Sequence, residues 1–75
     1  MSKYIEPMFW VTIEYKIPEA NLEEAMNRIK AATECYENWL MSKTCVVFNT
    51  DNQKDAVEAV RKVKEIIKAN KGKVL

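Results

Sequence analysis

Residues Met8 to Ile17 alternate with a period of two, and no other feature limits the fold of this chain so strongly. Phe9, Val11, Ile13, Tyr15 and Ile17 make one set, and Met8, Trp10, Thr12, Glu14 and Lys16 the other. Side chains of a strand point alternately to opposite faces. The first set is a continuous core face. The second begins with Met8 and Trp10 before turning polar, which is more apolar surface than water normally meets on a strand. That face calls for a cover.

A chain of 75 residues has room for a single domain, 1–75, because small chains bury only about 60% of the surface their unfolded form exposes. A core of this size supplies at most roughly 3–5 kcal/mol unless disulfides, metal or oligomerisation add to it. The composition, 48% hydrophobic and 31% charged with one glycine and two prolines, is that of an element-rich folded domain with short connections. No apolar run approaches the ~18 residues of a membrane span, so no membrane association is expected. Cys35 and Cys45 fall in a helical and a strand pattern respectively, with no signal-like start before them, and this points to reduced thiols in the cytoplasm. The net charge of +1 conceals a split: residues 1–37 sum to −3 and residues 38–75 to +4. Those halves are candidates to meet across an interface, or are two solvated helix faces that differ.

The element pattern reads strand, helix, strand, helix. Residues 1–7 form a polar lead with Tyr4 and Ile5, and Pro7 suits the first position of a strand. The strand runs from Met8 to Ile17 and stops at Pro18. Asn21 with Glu24 has capping-box spacing, and the helix over about Leu22 to Met41 places Leu22, Ala25, Met26, Ile29, Ala32, Thr33, Tyr36 and Leu40 on one stripe. Cys35, Trp39 and Met41 fall outside that stripe, so the end of the helix wants contacts on several sides. Thr44 to Asn49 reads as a second strand buried on both faces. Thr50 with Gln53 repeats the capping-box spacing, and the second helix, Asp51 to Asn70, buries Ala56, Ala59, Val60, Val63, Ile66 and Ile67, with Gly72 as its terminator. Val74 and Leu75 are candidates for a short third strand.

A helix of about 20 residues between two strands permits a parallel crossover. The expectation is therefore a small α+β domain of order βαβα: a two-stranded, parallel sheet with both helices on one face. Two strands are marginal alone, and no element remains to cover Met8 and Trp10. A second copy would supply the missing strands and cover. A homo-oligomer, with a dimer foremost, is the expected state.

The residues that carry chemistry are sparse. Histidine is absent, which removes the commonest general base and metal ligand. Two cysteines without His or CxxC spacing make no zinc site, and a lone glycine cannot build a phosphate-cradling loop. No cofactor and no metal are expected. Cys35 sits late in a helical pattern, where the dipole opposes a thiolate. The Glu23/Glu24 and Glu34/Glu37 pairs sit beside Arg28 and Lys30 and read as helix support. The strand, helix, strand order of an assembling chain resembles the tautomerase family over the first fifty residues or so. That resemblance implies a free amino-terminal proline as base, whereas Pro7 is internal and its amide nitrogen takes no proton. No catalytic residue is assigned.

Two binding readings remain. The leading one is a non-catalytic interaction module, a regulator, inhibitor or assembly subunit, that self-associates and meets a protein partner through its apolar strand face. Its anchors are Met8, Trp10, Trp39 and Met41, residue types enriched where binding energy concentrates. The alternative is nucleic-acid binding, with Arg61, Lys64, Lys68 and Lys71 on one edge of the second helix tracking phosphates and strand aromatics stacking on bases.

Overall fold

The computed structural model describes residues 8–75; the reading of residues 1–7, Pro7 included, lies outside the described residues. Six elements follow one another: β1 (Phe9–Lys16), α1 (Glu19–Thr33), β2 (Glu37–Met41), β3 (Cys45–Thr50), α2 (Gln53–Ala69) and β4 (Lys73–Val74). The sheet has four strands in the order β2-β3-β1-β4, and every neighbouring pair is antiparallel. This is the βαββαβ arrangement of ferredoxin-like, split βαβ domains. The α+β class and the placement of both helices on one face agree with the sequence.

The expected two-stranded parallel sheet is corrected to this four-stranded antiparallel one. The two expected strands are direct neighbours, pairing Phe9 with Thr50 through to Glu14 with Cys45, but they run in opposite directions. The reason is β2. It lies between α1 and β3 and turns the chain round through Ser42, Lys43 and Thr44 before β3 begins. The parallel relation predicted for a crossover helix holds between β1 and β2, with β3 inserted between them.

The expected helix Leu22 to Met41 is also corrected at both ends. It starts at Glu19, with Pro18 in the N-cap position and no side-chain cap. Pro18 fixes an extended entry, and Glu19 in the first turn complements the helix dipole. The helix stops at Thr33, whose hydroxyl donates back to the Ile29 carbonyl at 2.7 Å while accepting from Trp39 Nε1 at 2.9 Å. Asn38 then takes a positive φ of 54°, a conformation asparagine tolerates better than most residues. From there the chain has strand periodicity, with Trp39 and Met41 on the covered side and Leu40 outward.

α2 matches its expected span closely. Its cap is Asn52, whose side chain accepts from Lys54 N at 2.9 Å and Asp55 N at 3.4 Å, while Thr50 Oγ1 accepts from Asn52 N. All six expected apolar positions are buried or half-buried. Lys71 carries the positive φ of 62° that ends the helix. Gly72 is required for a different reason: a Cβ there would lie 2.7 Å from Ile17 Cγ1 and 2.8 Å from the Lys16 carbonyl. That close approach lets β4 reach β1, pairing Tyr15 with Val74 and Lys16 with Lys73. The further strand expected at Val74 and Leu75 therefore lies one residue earlier.

One core holds the layers together. Val11, Ile13, Tyr15, Val46 and Phe48 from the sheet meet Ala25 and Ile29 of α1 and Ala56, Ala59, Val63 and Ile67 of α2. Tyr36 stacks on Phe48 with ring centroids 5.0 Å apart, an offset geometry that aromatic pairs favour.

Candidate interaction surface

The alternation that buries Val11, Ile13 and Tyr15 sends Trp10, Thr12, Glu14 and Lys16 to the other face of the sheet, and all four are exposed. Across the ladder Trp10 lies opposite Asn49, Thr12 opposite Val47, and Glu14 opposite Cys45. Leu40 of β2 is opposite Val47. Strand partners directly opposite each other share a face. The open face thus has an apolar end and a polar end.

The apolar end is unusually exposed for its content. Trp10 is 63% accessible, Met8 51% and Leu40 70%. Opposite Trp10 and against Met8, Asn49 is fully buried, accepting from Asn38 Nδ2 at 3.1 Å and donating its own amide toward Met8 Sδ at 3.3 Å. A polar amide satisfied in this way fixes the floor of the surface, because losing a partner would strand a buried group. The polar end carries Glu14, Lys16 and Lys73, with Lys16 and Lys73 directly opposite.

Of the four interface residues expected from sequence, Met8 and Trp10 come together on the open face. Trp39 and Met41 do not join them: both are half-buried on the covered side against the core, and the Trp39 indole N–H is already used by Thr33. Leu40 takes their place. Its period-two position between Trp39 and Met41 was the available signal, hidden because the same stretch also continues the 3.6-residue stripe of α1.

Arg61, Lys64, Lys68 and Lys71 are all exposed, on the helical layer that covers the opposite side of the sheet from Trp10. Arg61 is engaged by Glu65 at 3.0 Å and Glu58 at 4.0 Å, and Lys62 by Glu58 at 3.8 Å. The basic edge and the strand aromatic do not share a surface.

Two tyrosines have displaced ionisation. Burial, with a smaller contribution from Cys45, pushes the Tyr15 phenol up to about 12; its hydroxyl donates to the Ser42 carbonyl at 2.8 Å and reaches the Cys45 carbonyl at 3.2 Å. Tyr15 thereby ties β1 to the β2–β3 turn. Burial, then Cys35, Asp55 and Glu58, raise the Tyr36 phenol as well. Cys35 is exposed and Cys45 half-buried, and both are free thiols. Among the described residues no three His, Cys, Asp or Glu side chains gather as metal ligands, and no helix is long and apolar enough to cross a membrane. Comparison with protein families, characterised proteins and solved structures finds no match for this chain.

Proposed function

We propose that this chain is a non-catalytic interaction module that self-associates through the open side of its sheet and, in that role, serves as an assembly subunit, regulator or inhibitor of a protein partner. The observation that carries the reading is the joint exposure of Trp10, Met8 and Leu40 on a sheet whose other side packs against the two helices. Large apolar side chains left exposed on one sheet face are the kind of surface that interaction sites use. A tryptophan covers about 150–250 Å² when enclosed, so burying the exposed part of Trp10 is worth on the order of 3 kcal/mol at ~25 cal/mol per Å². Its place of action in this reading is the cytoplasm, on the sequence ground that Cys35 and Cys45 fall in element patterns without a disulfide framework.

Light scattering behind size exclusion tests this. The native chain should elute as a dimer or larger at micromolar concentration, and Trp10→Ala should shift it toward monomer while its circular dichroism stays native. A native chain that remains monomeric at all concentrations would remove the proposal. The nucleic-acid reading has weaker support, since its basic edge and its stacking aromatic lie on different sides of the sheet. Oligonucleotide titration over a salt series separates the two: electrostatic binding weakens steeply with salt, and no binding at low salt leaves only the protein partner.

A further inference from the structure

The sheet has two edges, and they are protected very differently. β2 forms one. It is five residues long, begins at Glu37, and its pairing with β3 is broken by a register shift between Glu37 and Leu40. Short length, charge and irregular register are common devices against strand addition. At the other edge β4 pairs with only Tyr15 and Lys16, and the Leu75 amide donates to the Glu14 carbonyl at 2.9 Å. Beyond that point β1 has no strand on its outer side among the described residues.

The alternation of hydrogen bonding identifies the groups left over. The Tyr15 amide donates to Thr44 of the β3 side, and Leu75 meets Glu14 on the β4 side. Odd-numbered residues of β1 therefore bond to β3 and even-numbered ones point outward, as antiparallel ladders require. The amide and carbonyl of Trp10 and of Thr12 face outward with no strand partner among the described residues. The side chains along this edge, Met8-Phe9-Trp10-Val11-Thr12-Ile13, carry no charge and are rich in strand-forming types. Nothing there opposes pairing.

We propose that the occupant of this gap is the same segment, Met8 to Ile13, of a second copy of the chain, running antiparallel about a two-fold axis so that two four-stranded sheets join into one continuous sheet. The inference rests on the self-association proposed above and specifies its geometry. The register follows from the edge itself. Placing Trp10 opposite Thr12 of the copy would set Met8 of the copy on Glu14, where Leu75 already lies. Sliding the other way leaves Thr12 without a described partner. The register that avoids both sets Trp10 opposite Trp10 and Met8 opposite Thr12. Because the backbone groups of even-numbered residues point outward, Trp10 with Trp10 and Met8 with Thr12 fall as hydrogen-bonded pairs, each exchanging two hydrogen bonds, so the orphan groups of Trp10 and Thr12 are satisfied together. The two indoles then lie side by side on the open face, where cross-strand aromatic pairs stabilise antiparallel sheets. The exposure of Trp10 and Met8 in the single protomer falls as a result.

Amide hydrogen exchange read by NMR, with sedimentation on the same samples, tests the geometry separately from the association. Strand addition should slow exchange at the Trp10 and Thr12 amides by about tenfold or more as concentration rises through the dimerisation range. A dimer in which both amides keep their monomer exchange rates would overturn the edge pairing and leave self-association through the sheet face standing. A chain that stays monomeric would overturn both. Thr12→Pro supplies a second readout, because the amide it removes points outward and contributes nothing to the β1–β3 ladder. The variant should keep the native spectrum and lose the dimer; a dimer that survives Thr12→Pro would contradict the proposal.

Discussion

The two faces of this sheet are built by the same strands and behave as different materials. On the covered side Val11, Ile13, Tyr15, Val46 and Phe48 range from fully buried to 7% exposed, packed against the two helices. On the open side Trp10, the largest side chain of β1, remains 63% exposed. Strand alternation alone separates them, since neighbours in sequence go to opposite faces. Apolar content in a strand thus falls on two faces with different fates: one face holds the protomer together, and the other is the face through which we propose that protomers meet.

Substitutions on the covered side should unfold the chain. Phe48 is fully buried and stacked on Tyr36, and Phe48→Ala should cost about 3–5 kcal/mol. That is comparable with the whole stability a core of this size provides, roughly 3–5 kcal/mol. Urea titration of Phe48→Ala should find little folded protein. A variant with a native midpoint would mean the covered face is not the stabilising one.

A smaller effect is expected where the covered face meets the β2–β3 turn. Tyr15→Phe removes the hydroxyl that donates to the Ser42 carbonyl and should cost about 1–3 kcal/mol. The same phenol gives a pH signature. In the folded chain it holds its proton to about 12, against the ordinary 10.0 of an unfolded chain. The unfolded form therefore releases its proton first, and stability declines as pH rises above 10 and levels off past about 12. Denaturation midpoints measured between neutral pH and pH 12 should show that decline in the native chain. It should be reduced in Tyr15→Phe, and an unchanged slope would mean another group governs it.

The N-cap of α2 separates the two faces in another way, because it supports the covering layer without touching either. Asn52 accepts two helix amides, and Asn52→Ala should lower stability by about 0.5–2 kcal/mol with no change in association at concentrations where the chain remains folded. The smallest change in protomer stability should come from the open face: Trp10→Ala should move the denaturation midpoint by no more than the ~0.5 kcal/mol of an ordinary surface substitution, while weakening association. Equal losses of folding and association in Trp10→Ala would make Trp10 an ordinary core residue.

Much of the covered face was legible in the sequence. The period of two in β1 and the 3.6-residue stripe of α2 named eight of the twelve buried core residues, because both patterns are long and uninterrupted. The region from Thr33 to Met41 was not. Tyr36 and Leu40 continue the helical stripe of α1, and with a single glycine in the chain no residue marks the break. The termination depends on Thr33, Trp39 and Asn38 acting together across the turn, a tertiary arrangement no local pattern encodes. Missing β2 reversed the direction assigned to β3, and with it the whole sheet. The open face was visible through Met8 and Trp10, but Leu40 emerged only once β2 was a strand.

Sedimentation equilibrium of the native chain over a micromolar-to-millimolar concentration series tests most directly whether the open side of the sheet is a surface for another protomer. A mass that rises from one protomer to two with concentration, and that returns toward one protomer in Trp10→Ala, is the predicted result. A single protomer mass across the whole series would contradict it.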